Sequence, residues 1–198
     1  MSSIEILANL VLSVVLIVGG YQFYFFTQRY PLRRAKVWNS PIDERIPFRP
    51  GWSWVYSFLY YPAILYLNLI ADSAQHFILM AFSFVLLLFM QVVCFTVYPV
   101  ATPPHWRAPP KGPEASAGHR FLDFVQSFDA DTNCFPSMHV SVATLTACHA
   151  YAALGPVVIL FPVLIAISCV YTKQHYLADL LPGAALGWIA WQVYLAMI

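Results

Sequence analysis

Two short segments hold side chains whose types and spacing suit work on an anionic ester. One is Phe135-Pro136-Ser137-Met138-His139, and the other is Lys173-Gln174-His175-Tyr176-Leu177-Ala178-Asp179. His175 and Asp179 are four residues apart, so on a helix they share a face. A carboxylate beside an imidazole fixes its tautomer and stabilises its cation. The other ring nitrogen is then free to attack. His139, arriving on a separate element, is placed to act as general acid. Pro136 and Ser137 suit a helix start, with proline near the first turn and serine as cap. The N–H groups exposed there, with Ser137, favour an anion. Lys173 and Arg107 add positive charge for a phosphate. Singly, each residue has a plainer reading: an interfacial histidine, a structural i,i+4 pair, a loop anchor. The weight lies in their combination.

The elements that must position these residues are membrane helices. Of the 198 residues 60% are apolar and only 10% charged, against about 25% charged in an ordinary soluble domain. Mean hydropathy is +0.66. So little polar material cannot cover a soluble surface. The net charge of +1 gives no field that points to nucleic acid. Apolar runs near the length that spans a bilayer, about 20 residues, predict six spans: 4–27, 52–71, 76–97, 137–154, 157–172 and 178–197. Gly155-Pro156 separates the fourth from the fifth. The runs are continuous rather than alternating, so they read as helices, not strands. The first lacks a basic leader and a small-residue cleavage site and reads as a retained span. The expected architecture is one all-α domain over 1–198, a six-transmembrane-helix bundle in a multi-pass membrane protein.

Span counting puts both chemical segments on one membrane face. The connections there, 28–51, 98–136 and 173–177, include the long ones, rich in proline and poor in helix signals. All ten Lys and Arg residues fall on that face, which by the positive-inside rule is cytoplasmic. Cys94, Cys134, Cys148 and Cys169 form no C-x-x-C pair, so neither a disulfide framework nor a zinc site is expected. His76 and His149 read as interface or packing residues. Tyr60 and Tyr61 either line a lipid path or anchor at the interface.

The two segments resemble the type 2 phosphatidic acid phosphatase superfamily. Its second motif, Pro-Ser-Gly-His, is similar to Pro136-Ser137-Met138-His139. Its third, Ser-Arg, five residues, His, three residues, Asp, is similar to Ser168-Cys169, then His175, then Asp179. The resemblance spans about 50–198. The stretch Ser40-Pro41-Ile42-Asp43-Glu44-Arg45-Ile46-Pro47-Phe48 looks like the early loop of the sphingolipid-headgroup synthase branch, which includes inositol phosphorylceramide and sphingomyelin synthases. Tyr98-Pro99, Pro103-Pro104 and Arg107 resemble the degenerate first motif found there. Two departures stand out. Cys169 occupies the third-motif arginine position, where Lys173 is the substitute, with Arg107 or Lys111 in the first-motif role. Met138 replaces a glycine whose backbone N–H approaches phosphate.

The resemblance implies a two-step displacement. His175 forms a phosphohistidine, His139 acts as acid and then base, and Asp179 supports His175, with no cofactor and no metal. Water as acceptor makes a lipid phosphatase; a lipid hydroxyl makes a headgroup phosphotransferase. The compact chain favours the phosphatase on a phosphatidic-acid-like or other lipid phosphate, and the first loop favours the transferase. A transporter or scaffold is the reading from another class, against which stands the lack of internal repeats. The resemblance places the active site on the extracytoplasmic face, opposite to the charge pattern. Lipids are the expected partners.

Overall fold

The computed structural model describes residues 2–107 and 115–198. In chain order its α-helices are α1 (Ser3–Arg29), α2 (Pro41–Arg45), α3 (Ser53–Phe58), α4 (Tyr60–Ile70), α5 (Ala74–Val97), α6 (Ala117–Gln126), α7 (Met138–Leu154), α8 (Leu160–Tyr171) and α9 (Leu177–Met197). Strand structure among the described residues is confined to one parallel pair, β1 (Lys36–Val37) beside β2 (Val100–Ala101), which ties the first loop to the second. Four stretches are long and apolar enough to cross a membrane: α1, α5, the run Met138–Tyr171, and α9. The chain is a multi-pass integral membrane protein.

The expected six spans are thereby corrected in two places. The second, 52–71, is broken at Leu59 into α3 and α4, of 6 and 11 residues. Pro62 explains the break. It has no N–H for the Phe58 carbonyl, and its ring crowds that carbonyl. The fourth and fifth become α7 and α8, of 17 and 12 residues, joined by a 3₁₀ turn, Gly155–Ile159. Gly155 sits at φ +66°, which a side chain would resist. The chain reverses there. The Ser137 N–H at the start of α7 reaches the Asp179 carbonyl, and the Tyr171 carbonyl at the end of α8 accepts the Arg49 N–H. α8 therefore returns to the face from which α7 set out.

A further difference lies in the long connections, which hold two helices not expected there. Ser40 caps α2, and Ser116 caps α6. α6 is amphipathic. Its Phe121 stacks on Trp54 at 4.4 Å and on Phe58 at 5.3 Å.

The core is built around α7. Val140, Ala143 and Leu145 pack with Leu87 of α5, Ile165 and Cys169 of α8, and Ala190 of α9. α7 and α9 approach most closely at two glycines. A Cβ on Gly183 would stand 2.5 Å from the Ser137 carbonyl oxygen, and one on Gly187 would stand 2.2 Å from that of Ser141. Small residues allow this backbone approach where lipid supplies no hydrophobic drive between helices. Interhelical hydrogen bonds add to it: Gln91 to Ser141 at 2.8 Å, His149 with Ser83 at 2.9 Å, Ser13 to Asn68 at 3.1 Å. The α7–α9 contact sets the two chemical segments against each other.

Candidate active site

Ser137 caps α7, its hydroxyl accepting the Val140 N–H, and His139 follows in the first turn. On the other side, α8 ends at Tyr171 and the chain turns through Lys173, at φ +57°, into α9. The Cys169 carbonyl accepts both the Gln174 and His175 N–H groups, which closes the turn. His175 therefore hangs in the five residues between two helices. Ser137 N–H to Asp179 carbonyl, at 3.1 Å, staples the two segments together.

The His175 ring is buried. Its Nδ1 lies 2.8 Å from the Cys134 carbonyl oxygen and 3.3 Å from Asp179 Oδ2. Both are acceptors, so Nδ1 carries the proton, and Nε2 keeps its lone pair. The shorter partner is the backbone carbonyl. Asp179 divides its attention, since Oδ2 also accepts the Tyr176 N–H at 2.9 Å. Asp179 Oδ1 is buried and has no partner among the described residues.

His139 meets His175 edge-on, ring centroids 5.9 Å apart at 64°. Its own ring stacks on Tyr56 at 4.1 Å and lies 5.4 Å from Tyr60. These two tyrosines, from the broken second span, pack against the imidazole, Tyr56 face to face and Tyr60 at a tilt. Beside it opens an apolar cavity of about 770 Å³, walled by α1, α3, α4, α5 and α6, with Met138, His139 and Val142 of α7 also in its lining. That size is ordinary for a small-molecule site.

Not every expected residue joins this group. The Lys173 ammonium donates to the Asp43 carbonyl and lies 4.8 Å over the Trp106 ring. Burial holds its pKa below the ordinary lysine value, against the pull of the Glu44 and Asp43 carboxylates. Arg107 is engaged with Asp129, at 2.7 Å to its carbonyl and 3.2 Å to its carboxylate, and with Thr102 Oγ1 at 3.3 Å. Both cations are thus committed to loop contacts. Lys111 lies outside the described residues. Cys169, at the expected arginine position, is wholly buried and sends its carbonyl, not its side chain, to the turn.

Three participants were missed. Cys134 acts through a carbonyl, for which a sequence carries no signal. Tyr176 pins the turn from outside. Its hydroxyl accepts the Trp38 N–H and faces the Trp38 and Ala101 carbonyls, and burial pushes its pKa up to about 12. Asp43 reaches the start of α9, where Oδ1 accepts the Leu177 N–H at 2.8 Å. Its place in the Ser40–Phe48 stretch was the available hint.

Two imidazoles in a T-shaped contact, one with a fixed tautomer and the other lining an apolar cavity, can do nucleophilic and acid–base chemistry on a ligand with a long apolar part. A family model described as the PAP2 superfamily matches residues 34–193. No curated protein and no solved structure matches the chain.

Proposed function

Since the chain belongs to the PAP2 superfamily, we propose that it is a lipid-phosphate phosphatase working through a phosphohistidine at His175. The observation that carries this reading is the His175 ring. Nδ1–H is taken by the Cys134 carbonyl and Asp179, which leaves Nε2 as the ring's nucleophilic atom, and the His139 ring lies 5.9 Å away, centroid to centroid.

The steps follow from that geometry. The substrate's chains occupy the cavity and its phosphate sits between the two imidazoles. Nε2 of His175 attacks phosphorus. The P–N bond forms as the P–O bond to the lipid alcohol breaks, and His139, protonated in the complex beside the phosphate anion, gives its proton to the departing oxygen. Neutral His139 then takes a proton from water, which attacks phosphorus. The P–N bond breaks, its electron pair returns to Nε2, and inorganic phosphate leaves. Asp179 and the Cys134 carbonyl hold the ring while positive charge develops on it. The Met138 and His139 backbone N–H groups at the start of α7, with Ser137, are the proposed seat for phosphoryl oxygens. Lys173, Arg107 and Lys111 reach the phosphate in this scheme only by releasing their present contacts or from outside the described residues.

A second reading is a headgroup phosphotransferase, in which a lipid hydroxyl replaces water. The aromatic packing of Tyr56 and Tyr60 around His139 favours it, because an apolar site admits a lipid hydroxyl more readily than water. One experiment separates the two. The purified protein in detergent is given phosphatidic acid with excess EDTA, beside His175→Ala. Phosphate release by the wild type alone supports the phosphatase. A labelled headgroup appearing on added diacylglycerol or ceramide, without phosphate release, moves the assignment to the transferase. Turnover by His175→Ala equal to wild type would sink both.

A further inference from the structure

We infer that Asp43, on the short first-loop helix α2, is a positioning residue for the His175 imidazole. The inference rests on the reading of His175 as nucleophile. α9 begins with a difficulty. The first N–H groups of a helix have no partner within it, and a short side chain at the cap usually supplies one. Here the cap position is Tyr176, whose hydroxyl is bound far off at Trp38 and Ala101. Two carboxylates serve instead. Asp179 accepts the Tyr176 N–H, and Asp43 accepts the next one, that of Leu177, at 2.8 Å. Carboxylates are favoured there by the positive end of the helix dipole.

Asp43 also grips the other end of the turn. Its backbone carbonyl accepts the Lys173 ammonium. One residue of the first loop therefore holds Lys173 and Leu177, the positions two before and two after His175. Lys173 adopts the left-handed backbone that non-glycine residues avoid, so the turn needs outside support to keep its shape. Asp43 is suited to give it. It is buried, and its second oxygen is fixed by the Ser40 hydroxyl. The short contact from Nδ1 to the Cys134 carbonyl depends on where this turn puts the ring. Without Asp43 the ring keeps its chemistry and loses its aim.

The test compares Asp43→Ala, Asp43→Asn and Ser40→Ala with wild type in detergent. Two readouts are taken: ring ¹⁵N signals of His175 in histidine-labelled protein, assigned by their loss in His175→Ala, and kcat against KM for phosphate release. Asp43→Ala is expected to move the His175 signals from a fixed Nδ1–H tautomer towards an average. It should lower kcat about 100-fold, as a misaimed group does, with little change in KM. Asp43→Asn keeps an oxygen for the Leu177 N–H and should recover most of both. Ser40→Ala, which releases the second Asp43 oxygen, should fall between wild type and Asp43→Ala in both readouts, and it carries the test if Asp43→Ala does not fold. Unchanged His175 signals in folded Asp43→Ala, or a kcat loss that only follows the folded fraction, would overturn the assignment. If wild type turns over no lipid phosphate, the phosphatase reading fails, and the ¹⁵N signals still decide the role of Asp43.

Discussion

Replacing Asp179 by Asn should cost far less than the same change costs a serine-hydrolase triad. In such a triad the carboxylate alone fixes the imidazole tautomer, and Asp→Asn lowers kcat about 10⁴-fold by trapping the wrong one. Here Nδ1–H has a second acceptor, the Cys134 carbonyl, and that contact is the shorter, 2.8 Å against 3.3 Å. Asparagine leaves it in place. With its oxygen at the Oδ2 position, asparagine also keeps the Tyr176 N–H contact. What is lost is the negative charge facing a ring that turns cationic as the P–N bond forms. A charge-assisted hydrogen bond exceeds a neutral one by about 1–2 kcal/mol. At 1.36 kcal/mol per decade, kcat should fall roughly 5- to 30-fold. The asparagine NH₂ would replace Oδ1, which has no partner among the described residues, so one unpaired buried group replaces another and stability can shift as well. Rates must therefore be referred to folded protein. Single-turnover phosphate release, with acid-labile phosphoprotein measured alongside, reads the effect directly. A loss near 10⁴-fold would show that the Cys134 carbonyl does not hold the tautomer, and no loss would show that the charge is not used.

The close α7–α9 approach makes Gly183→Ala and Gly187→Ala destabilising by about 1–3 kcal/mol each, because the new Cβ meets backbone rather than a yielding side chain. Gly19→Ala, with nothing within 4 Å of its Cβ, should instead gain up to about 1 kcal/mol from helix propensity; thermal unfolding in detergent that ranks the three otherwise refutes the packing argument. Burial holds the Lys173 pKa below its ordinary value, so the unfolded chain binds more protons between the depressed and the ordinary pKa, and this residue's contribution to stability rises with pH across that window. Wild type should accordingly gain stability relative to Lys173→Met as pH rises towards about 10.4, the ordinary lysine value, and a difference that stays flat would rule the linkage out. The basic loop face predicts a cytoplasmic site. Lys36→Cys should resist an impermeant thiol reagent in intact cells and react after permeabilisation, whereas labelling in intact cells puts the site outside, as the family resemblance has it.

How legible this site was in the sequence depends on which kind of atom does the work. His139, His175 and Asp179 announce themselves by type and spacing, and the structure puts them within one cluster because Gly183 and Gly187 let α9 lie against α7. The spans were legible only as apolar runs. A run does not say whether a proline in it bends a helix or ends one, and Pro62 ended one. The site lies beside that break, where Tyr56 and Tyr60 on either side of it pack against His139. The cations were misleading for an electrostatic reason. A sequence counts charges but not their partners, and here Asp129 and the Asp43 carbonyl hold the two that seemed free for phosphate. The least legible contributors are those that act across long separations through a single atom. The Cys134 carbonyl would serve equally from any residue type, so nothing in the letter at 134 marks it. Asp43 is different: its carboxylate is needed, but its partner is a backbone N–H at 177, visible only once the first loop is folded onto α9. The chemistry of this protein is thus written in side chains, while the aim of that chemistry is set by backbone groups that only the fold brings together.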